Sequence, residues 1–428
     1  MLIISDIISR QILDSRGNPT VEVDVVLSDG AIGRSSVPSG ASKGKYEAIE
    51  LRDNSNSYHG LSVDKALNNI NTEISDILIG RSPFEQRSID LDMIELDGTK
   101  NKKRLGANAM LGVSQAVCKA SANSMKIPLW RYLGGINGNT LPVPMMNIIN
   151  GGVHASNGLD FQEIMIMPVD FNTFTDALRA GVEIFHSLKA LLIDKGFSTN
   201  VGDEGGFAPE IDNAEDAMNL ICKAIDRTNY KIGKDIFFAI DAAASEFYIN
   251  KKYIFKNSKI SMDTNGLLTY WINLIKKFPI LSIEDPFHEE DVIGFINLEK
   301  KVGNNVQIVG DDLFVTSSKK LLDGINKKAG NSILIKLNQA GTLTETLETV
   351  NLAKKNNFNT IISHRSGETE DTFISDFSVG VNSGQIKTGS VSRSDRNCKY
   401  NQLIRIEEEL GQDANYYGKE ILKLINRT

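Results

Sequence analysis

Six short apolar runs in the second half of the chain end alike. FFAIDAA, LSIEDPF, QIVGDDL, LIKLNQA, IISHRSG and QIKTGSV each hold a few apolar residues, then a polar or charged residue, then a loop. The residues at those ends are Asp241, Glu284, Asp311, Lys336, His364 and Lys387, separated by 43, 27, 25, 28 and 23 positions. A strand plus a helix takes about that length, since eight such units fill ~250 residues. Continuous apolar runs fit strands buried on both faces, as in a parallel sheet. Charged residues at the C-terminal ends of successive strands are where a (β/α)8 TIM barrel keeps its active site. The repeat therefore predicts an α/β barrel with its chemistry at one mouth. A dinucleotide-binding fold is the weaker reading, because no GxGxxG follows a strand. GASKGK has the wrong glycine spacing for an NTPase phosphate loop, and Tyr46 stands where Ser or Thr is needed.

The N-terminal part follows a different pattern. Residues 2–14 and 21–27 are rich in Ile and Val, with turn residues (SRGNPT) between them. An Asp29-Gly30 turn and the run AIGRSSV complete an expected three-stranded antiparallel meander. After the small-residue loop PSGASKGK, apolar residues recur at helical spacing over 62–80, 83–96 and 107–125. Strands followed by helices suggest an α+β domain over 1–134. GGINGNTLPVP reads as the linker, with the barrel over 140–428. A chain of 428 residues has room for both units.

A net charge of -7 argues against nucleic acid or an anionic membrane as the main partner, though not against a local basic pocket. Cys118, Cys222 and Cys398 form no CxxC and read as reduced structural thiols. MLIISDIISR lacks a basic leader region, and no run approaches the ~18 apolar residues of a membrane helix. The expected location is the cytoplasm.

The strand-end residues suggest a chemistry. Asp241, Glu284 and Asp311 would repel one another at one mouth unless a cation lay between them. All-oxygen ligands suit a hard ion, Mg²⁺ or Mn²⁺. Taken singly, each acid is more simply a helix cap or a surface ion-pair partner; three in consecutive units favour a metal. Lys336, His364, Arg365 and Lys387 add dense positive charge, fit for a phosphate and a carboxylate, with Arg365 able to grip two oxygens. Positive neighbours lower a lysine's pKa, so Lys336 is a candidate base; read alone, it is as readily a paired interior lysine. In VGDEGGFAPE, Glu204 lies in a glycine-rich loop and is a candidate protonated acid, although such a loop is more often only a turn. Gln162, Glu163 and His154 are candidates on similar grounds. Together they suit proton abstraction beside a carboxylate, followed by loss of a leaving group.

The strings DSRGNPTVEVDV, VPSGAS, LGANAMLGVS, NGGVHASN, VGDEGGFAPE, SIEDPF, IKLNQAGTLTET, SHRSGETEDTFI and YNQLIRIEEEL resemble the enolase family from end to end. The resemblance implies an N-terminal α+β domain on an enolase-type barrel whose first strands depart from the regular βα order. It implies dehydration of 2-phosphoglycerate to phosphoenolpyruvate with two Mg²⁺ per site, the second arriving with substrate. The first ion would be held by Asp241, Glu284 and Asp311, and the second by Ser42 on a mobile loop. Lys336 would accept the carbon-2 proton. Glu204 would donate a proton to the departing hydroxyl, supported by Glu163. His154, Gln162, His364, Arg365, Ser366 and Lys387 would contact substrate. Family members are usually homodimers, some bacterial ones octamers, and Glu22 and Arg405 match the family's intersubunit contact.

The departures are small. Lys43 replaces a threonine, Val292 stands where a tryptophan is usual, and RSDRNCKYN differs modestly. Two rival readings remain: a racemase or cycloisomerase of the same superfamily, and a repurposed binding protein on a cell surface or in an RNA-processing assembly. The first generally lacks the SGAS loop and the SHRSGETED string. The second would be expected to have lost a catalytic position, and no marker for such partners is present.

Overall fold

The computed structural model describes residues 2–40, 44–54, 56–155 and 157–425. The N-terminal runs form β1 (Ile4–Leu13), β2 (Pro19–Leu27) and β3 (Ile32–Ser36), paired antiparallel in chain order. The predicted helix over 62–80 runs from Asp64 to Leu78 with one wider turn at Ile70–Ile74. Two further helices, α1 (Gln86–Asp97) and α2 (Ala107–Ser124), match the other helical patterns. The small residues of α2 let it lie close on the sheet. A Cβ added at Gly33 would sit 2.1 Å from the Ala116 carbonyl oxygen, so only glycine permits this approach. Cys118 is buried within α2, and burial pushes its thiol well up, as expected of an inert structural cysteine.

Eight strands close the barrel: β4 (Val143–Asn150), β5 (Glu163–Pro168), β6 (Ile236–Asp241), β7 (Ile280–Glu284), β8 (Gln307–Gly310), β9 (Ser332–Ile335), β10 (Asn359–Ser363) and β11 (Gly384–Lys387). Their order around the barrel is β7-β8-β9-β10-β11-β4-β5-β6. Six of them are the repeats read from the sequence; β4 and β5 carry no comparable charged end and were not visible in that pattern. All neighbouring pairs are parallel except those of β5, which runs antiparallel to both β4 and β6. Among the described residues, the segment between β4 and β5 holds no α-helix to cross back over the sheet, and the chain reverses. Reversal has a functional result. A strand running the other way presents its first residue where its neighbours present their last, and Glu163 pairs in register with Asn150 and Asp241.

The outer layer includes α3 (Phe174–Asp194), α4 (Ala214–Ile225), α5 (Thr264–Lys277), α6 (Val292–Val302), α7 (Ser318–Lys327), α8 (Leu343–Lys355), α9 (Phe373–Gly380) and α10 (Ser394–Leu410). The first six start at Thr173, Asn213, Asp263, Asp291, Ser317 and Thr342, whose side chains each accept a backbone N–H of the first turn. On α5, the buried Trp271 stacks on Phe161 with centroids 5.0 Å apart, and its indole N–H donates to the Pro286 carbonyl at 3.0 Å. Such an aromatic pair contributes about 0.5–1.5 kcal/mol beyond area burial. Phe161 precedes Gln162 and Glu163, and Pro286 follows Glu284 and Asp285. One indole thus supports two sides of the mouth.

The N-terminal domain lies over that mouth. Ser39 and Gly367 exchange backbone hydrogen bonds at 2.8 Å, and the Ala48 N–H donates to the Gln339 carbonyl at 3.0 Å. Lys119 Nζ pairs with Asp371 at 2.6 Å, and Lys102 Nζ with Glu345 at 2.9 Å.

Candidate active site

The described candidates gather at one end of the barrel. Asp241, Glu284 and Lys387 close β6, β7 and β11, while Asp311, Lys336 and His364 directly follow β8, β9 and β10. His154 and Gln162 lie between β4 and β5, Glu204 between β5 and β6, and Arg365 and Ser366 after β10. Ser42 lies outside the described residues. The strand order sets β9 opposite β5, so Lys336 and Glu163 stand on opposite sides of the opening.

Lys387 spans the mouth from β11 toward β7. Its Nζ lies 2.8 Å from Asp241 Oδ2, 2.9 Å from Glu284 Oε2 and 3.0 Å from Glu163 Oε1. All four groups are buried, so each depends on the others for charge compensation. Lys336 Nζ pairs with Asp311 Oδ2 at 2.5 Å, and Gln339 Nε2 donates to Asp311 Oδ1 at 2.9 Å. The expected lowering of the Lys336 pKa is not found in this arrangement. Burial pulls it down, with help from Arg365 and Lys387, but the carboxylates, Asp311 foremost and Glu284 with it, outweigh them and hold it above the usual lysine range.

The other side of the mouth is a carboxyl–imidazole cluster. Gly205 holds the Glu204 loop at a φ of +86°, and a Cβ there would meet the Ser392 carbonyl at 2.6 Å. Glu204 Oε1 lies 3.6 Å from His154 Nδ1; its Oε2 lies 3.5 Å from His364 Nε2 and accepts from Asn147 Nδ2 at 3.2 Å. Glu163 Oε1 is 3.9 Å from the same His154 nitrogen. Burial and the charge of Glu204 push Glu163 well above the carboxylate range. Burial pushes Glu204 up as well, but His154, His364 and Arg396 more than offset it and hold it well below. The direction for Glu204 thus runs against the protonated carboxyl expected there, and that for Glu163 runs toward one. Burial also pulls His154 down, and His364 down to about 3.

Arg365 is buried between the domains. Its guanidinium lies 3.0 Å from Glu47 Oε2 and donates to Asn338 Oδ1 at 2.9 Å. Ser366 Oγ is 3.4 Å from His154 Nε2. Several groups here did not stand out in the sequence. Glu47 sits in an ordinary charged stretch, and Asp285, whose oxygens accept the N–H groups of Asp311 and Asp312 at 2.9 and 2.8 Å, looked like a bystander to Glu284. Asn147 was findable, as a polar residue inside the apolar run VPMMNIIN.

The donor chemistry fits a hard cation. Glu163, Asp241 and Glu284 direct carboxylate oxygens at a single positive group, and Gln162 Oε1 and Glu163 Oε2 are buried without a hydrogen-bond partner. Among the described residues, two sets have potential ligand atoms all within 4.8 Å of one another: His154, Glu163 and Glu204, and Asp285, Asp311 and Asp312. Asp241, Glu284 and Asp311 are not drawn together to that distance. The first two face Lys387 and the third faces Lys336, so two ammonium groups divide the acids between them.

A closed barrel with acids, lysines and a carboxyl–imidazole cluster at one mouth, covered by an α+β domain, defines a barrel enzyme of acid–base type. Residues 4–133 match the family described as Enolase, N-terminal domain, and residues 138–425 match Enolase, C-terminal TIM barrel domain. The chain belongs to the enolase family, whose members are magnesium-dependent lyases.

Proposed function

We propose that this chain catalyses the reversible, Mg²⁺-dependent dehydration of 2-phospho-D-glycerate to phosphoenolpyruvate. The observation that carries the reading is the opposition of Lys336 to the Glu163–Glu204 pair across one mouth. A base on one side and an acid on the other suit removal of a proton and a hydroxyl from opposite faces of a small carboxylate. Lys336 Nζ takes the proton from carbon 2. The electrons of that C–H bond first pass into the substrate carboxylate as an enolate, and then form the carbon–carbon double bond as the C3–O bond breaks. Glu204 supplies the proton with which the hydroxyl leaves as water, and Glu163 is the neighbouring store of that proton. Arg365, Ser366, His154 and His364 are the phosphate-side and leaving-group contacts, and Gln162 and Lys387 are the carboxylate-side contacts.

Mg²⁺ held by Asp241, Glu284 and Asp311 would stabilise negative charge growing on the substrate carboxylate. A dication also competes with both ammonium groups for these oxygens. Loss of the Asp311 contact removes the largest influence that raises Lys336 and favours the neutral amine a base needs. An anionic substrate beside Glu204 raises that carboxyl toward the protonated form. The second ion on Ser42, a homodimer through Glu22 and Arg405, and the domain division at 134 and 140 belong to the same reading.

The test is absorbance at the phosphoenolpyruvate band with Mg²⁺ and either 2-phosphoglycerate or unphosphorylated glycerate. Turnover is expected with the first and not the second, since Arg365 and Ser366 need a phosphate to grip. No turnover of 2-phosphoglycerate would overturn the proposed reaction.

A further inference from the structure

Arg396, in the first turn of α10, is fully buried and has figured so far only as a charge near Glu204. Its guanidinium joins two loops. One terminal nitrogen lies 2.6 Å from His364 Nδ1 and donates to the Arg365 carbonyl at 2.6 Å. The other donates to the Ser366 carbonyl at 2.6 Å and to the Asp203 carbonyl at 3.2 Å. Nε lies 2.8 Å from Asp395 Oδ2. A guanidinium has five N–H groups and no acceptor, and here the two terminal nitrogens face three carbonyl oxygens and the His364 ring nitrogen, while Nε has only the ionic contact. Gly389 makes room for it: at φ +81°, a Cβ there would meet Arg396 Cδ at 2.8 Å.

The contact to His364 carries the most information. Arginine keeps its charge in proteins and can only donate. His364 Nδ1 must therefore accept, and it carries no proton. A neutral ring with a bare Nδ1 holds its hydrogen on Nε2, the nitrogen 3.5 Å from Glu204 Oε2. A second proton on the ring would set two donors face to face at 2.6 Å. The other contacts of the same fork reach the peptide next to Glu204, at Asp203, and the peptides of Arg365 and Ser366.

We infer that Arg396 is a positioning residue for the acid step, locking His364 in its Nε2–H tautomer and tying the Glu204 loop to the Arg365–Ser366 loop. Fully buried, it has no surface left for a substrate, and its part in the acid step rests on the reaction proposed above. Lysine cannot replace it, because a point charge cannot donate along four fixed directions at once.

The experiment has two arms. The first is ¹⁵N NMR of the histidine-labelled full chain, which has only five histidines, with His364 assigned by its loss in His364→Asn. A protonated Nε2 and a bare Nδ1 that persist between about pH 5.5 and 8.5 are expected. An Nδ1–H tautomer, or a ring that titrates in that range, overturns the inference. This arm does not depend on the substrate assignment and still decides if a variant fails to fold. The second arm is Arg396→Lys. Dehydration is expected to fall roughly 10–100-fold, the usual scale for an outer partner of a site residue. Exchange of the carbon-2 proton should stay near its original rate, because Lys336 is untouched. Equal loss of both rates, or no change in either, overturns the positioning role. Failure of the unaltered chain to turn over 2-phosphoglycerate would count against the reaction and leave the tautomer result standing.

Discussion

Lys336→Ala is expected to lower turnover of 2-phosphoglycerate on the order of 10²–10⁴-fold and to stop exchange of the carbon-2 proton with solvent. Lys336 follows β9 directly, and its position opposite β5 leaves the acid pair unable to reach the same face of a bound substrate. Its side chain is 14% exposed, and its ammonium forms an ion pair with Asp311. Removing it leaves the Asp311 carboxylate without its ion partner, so metal affinity should rise or hold. A loss of rate therefore cannot be charged to a lost ion. Solvent deuterium incorporation, followed by NMR of recovered substrate, checks the result. Normal exchange in Lys336→Ala would refute the base assignment.

Chelation is expected to have a comparable effect. EDTA should abolish turnover in the absorbance assay, and excess Mg²⁺ should restore it. The proton beside a carboxylate is very weakly acidic, and its removal adds negative charge to a group that already carries one. A divalent ion supplies several kcal/mol of stabilisation for such charge. Without it, Lys387 answers Glu163, Asp241 and Glu284 and Lys336 answers Asp311, and both lysines stay committed to those pairs. An unchanged rate in EDTA would remove the metal from the account.

Much of the barrel was legible in the sequence for a simple reason. A buried parallel strand reads as an apolar run, and a residue at its exit has to be explained if it is charged. Asp241, Glu284, Asp311, Lys336, His364 and Lys387 all stood out that way. Glu163 did not, because it opens a reversed strand, and nothing local in QEIMIMP says that the chain runs backwards there. Arg396 was hidden for another reason. An arginine in a charged helix is ordinary until the fold shows that it is buried and where its fork points. Protonation was the least readable property. Lys336 and Glu204 were expected to shift one way and in this arrangement shift the other, because burial and several close charged partners, assembled only in the closed mouth, act on each at once.

The most direct measurement of this opposed base and acid is the ratio of carbon-2 proton exchange to dehydration in Glu204→Gln. The amide keeps the size of the side chain and removes its ability to deliver a proton. Exchange should persist near the original rate, while dehydration falls on the order of 10²–10⁴-fold. If both rates fell together, or if dehydration continued unimpaired, Glu204 would not be a separate acid facing Lys336 across the barrel mouth.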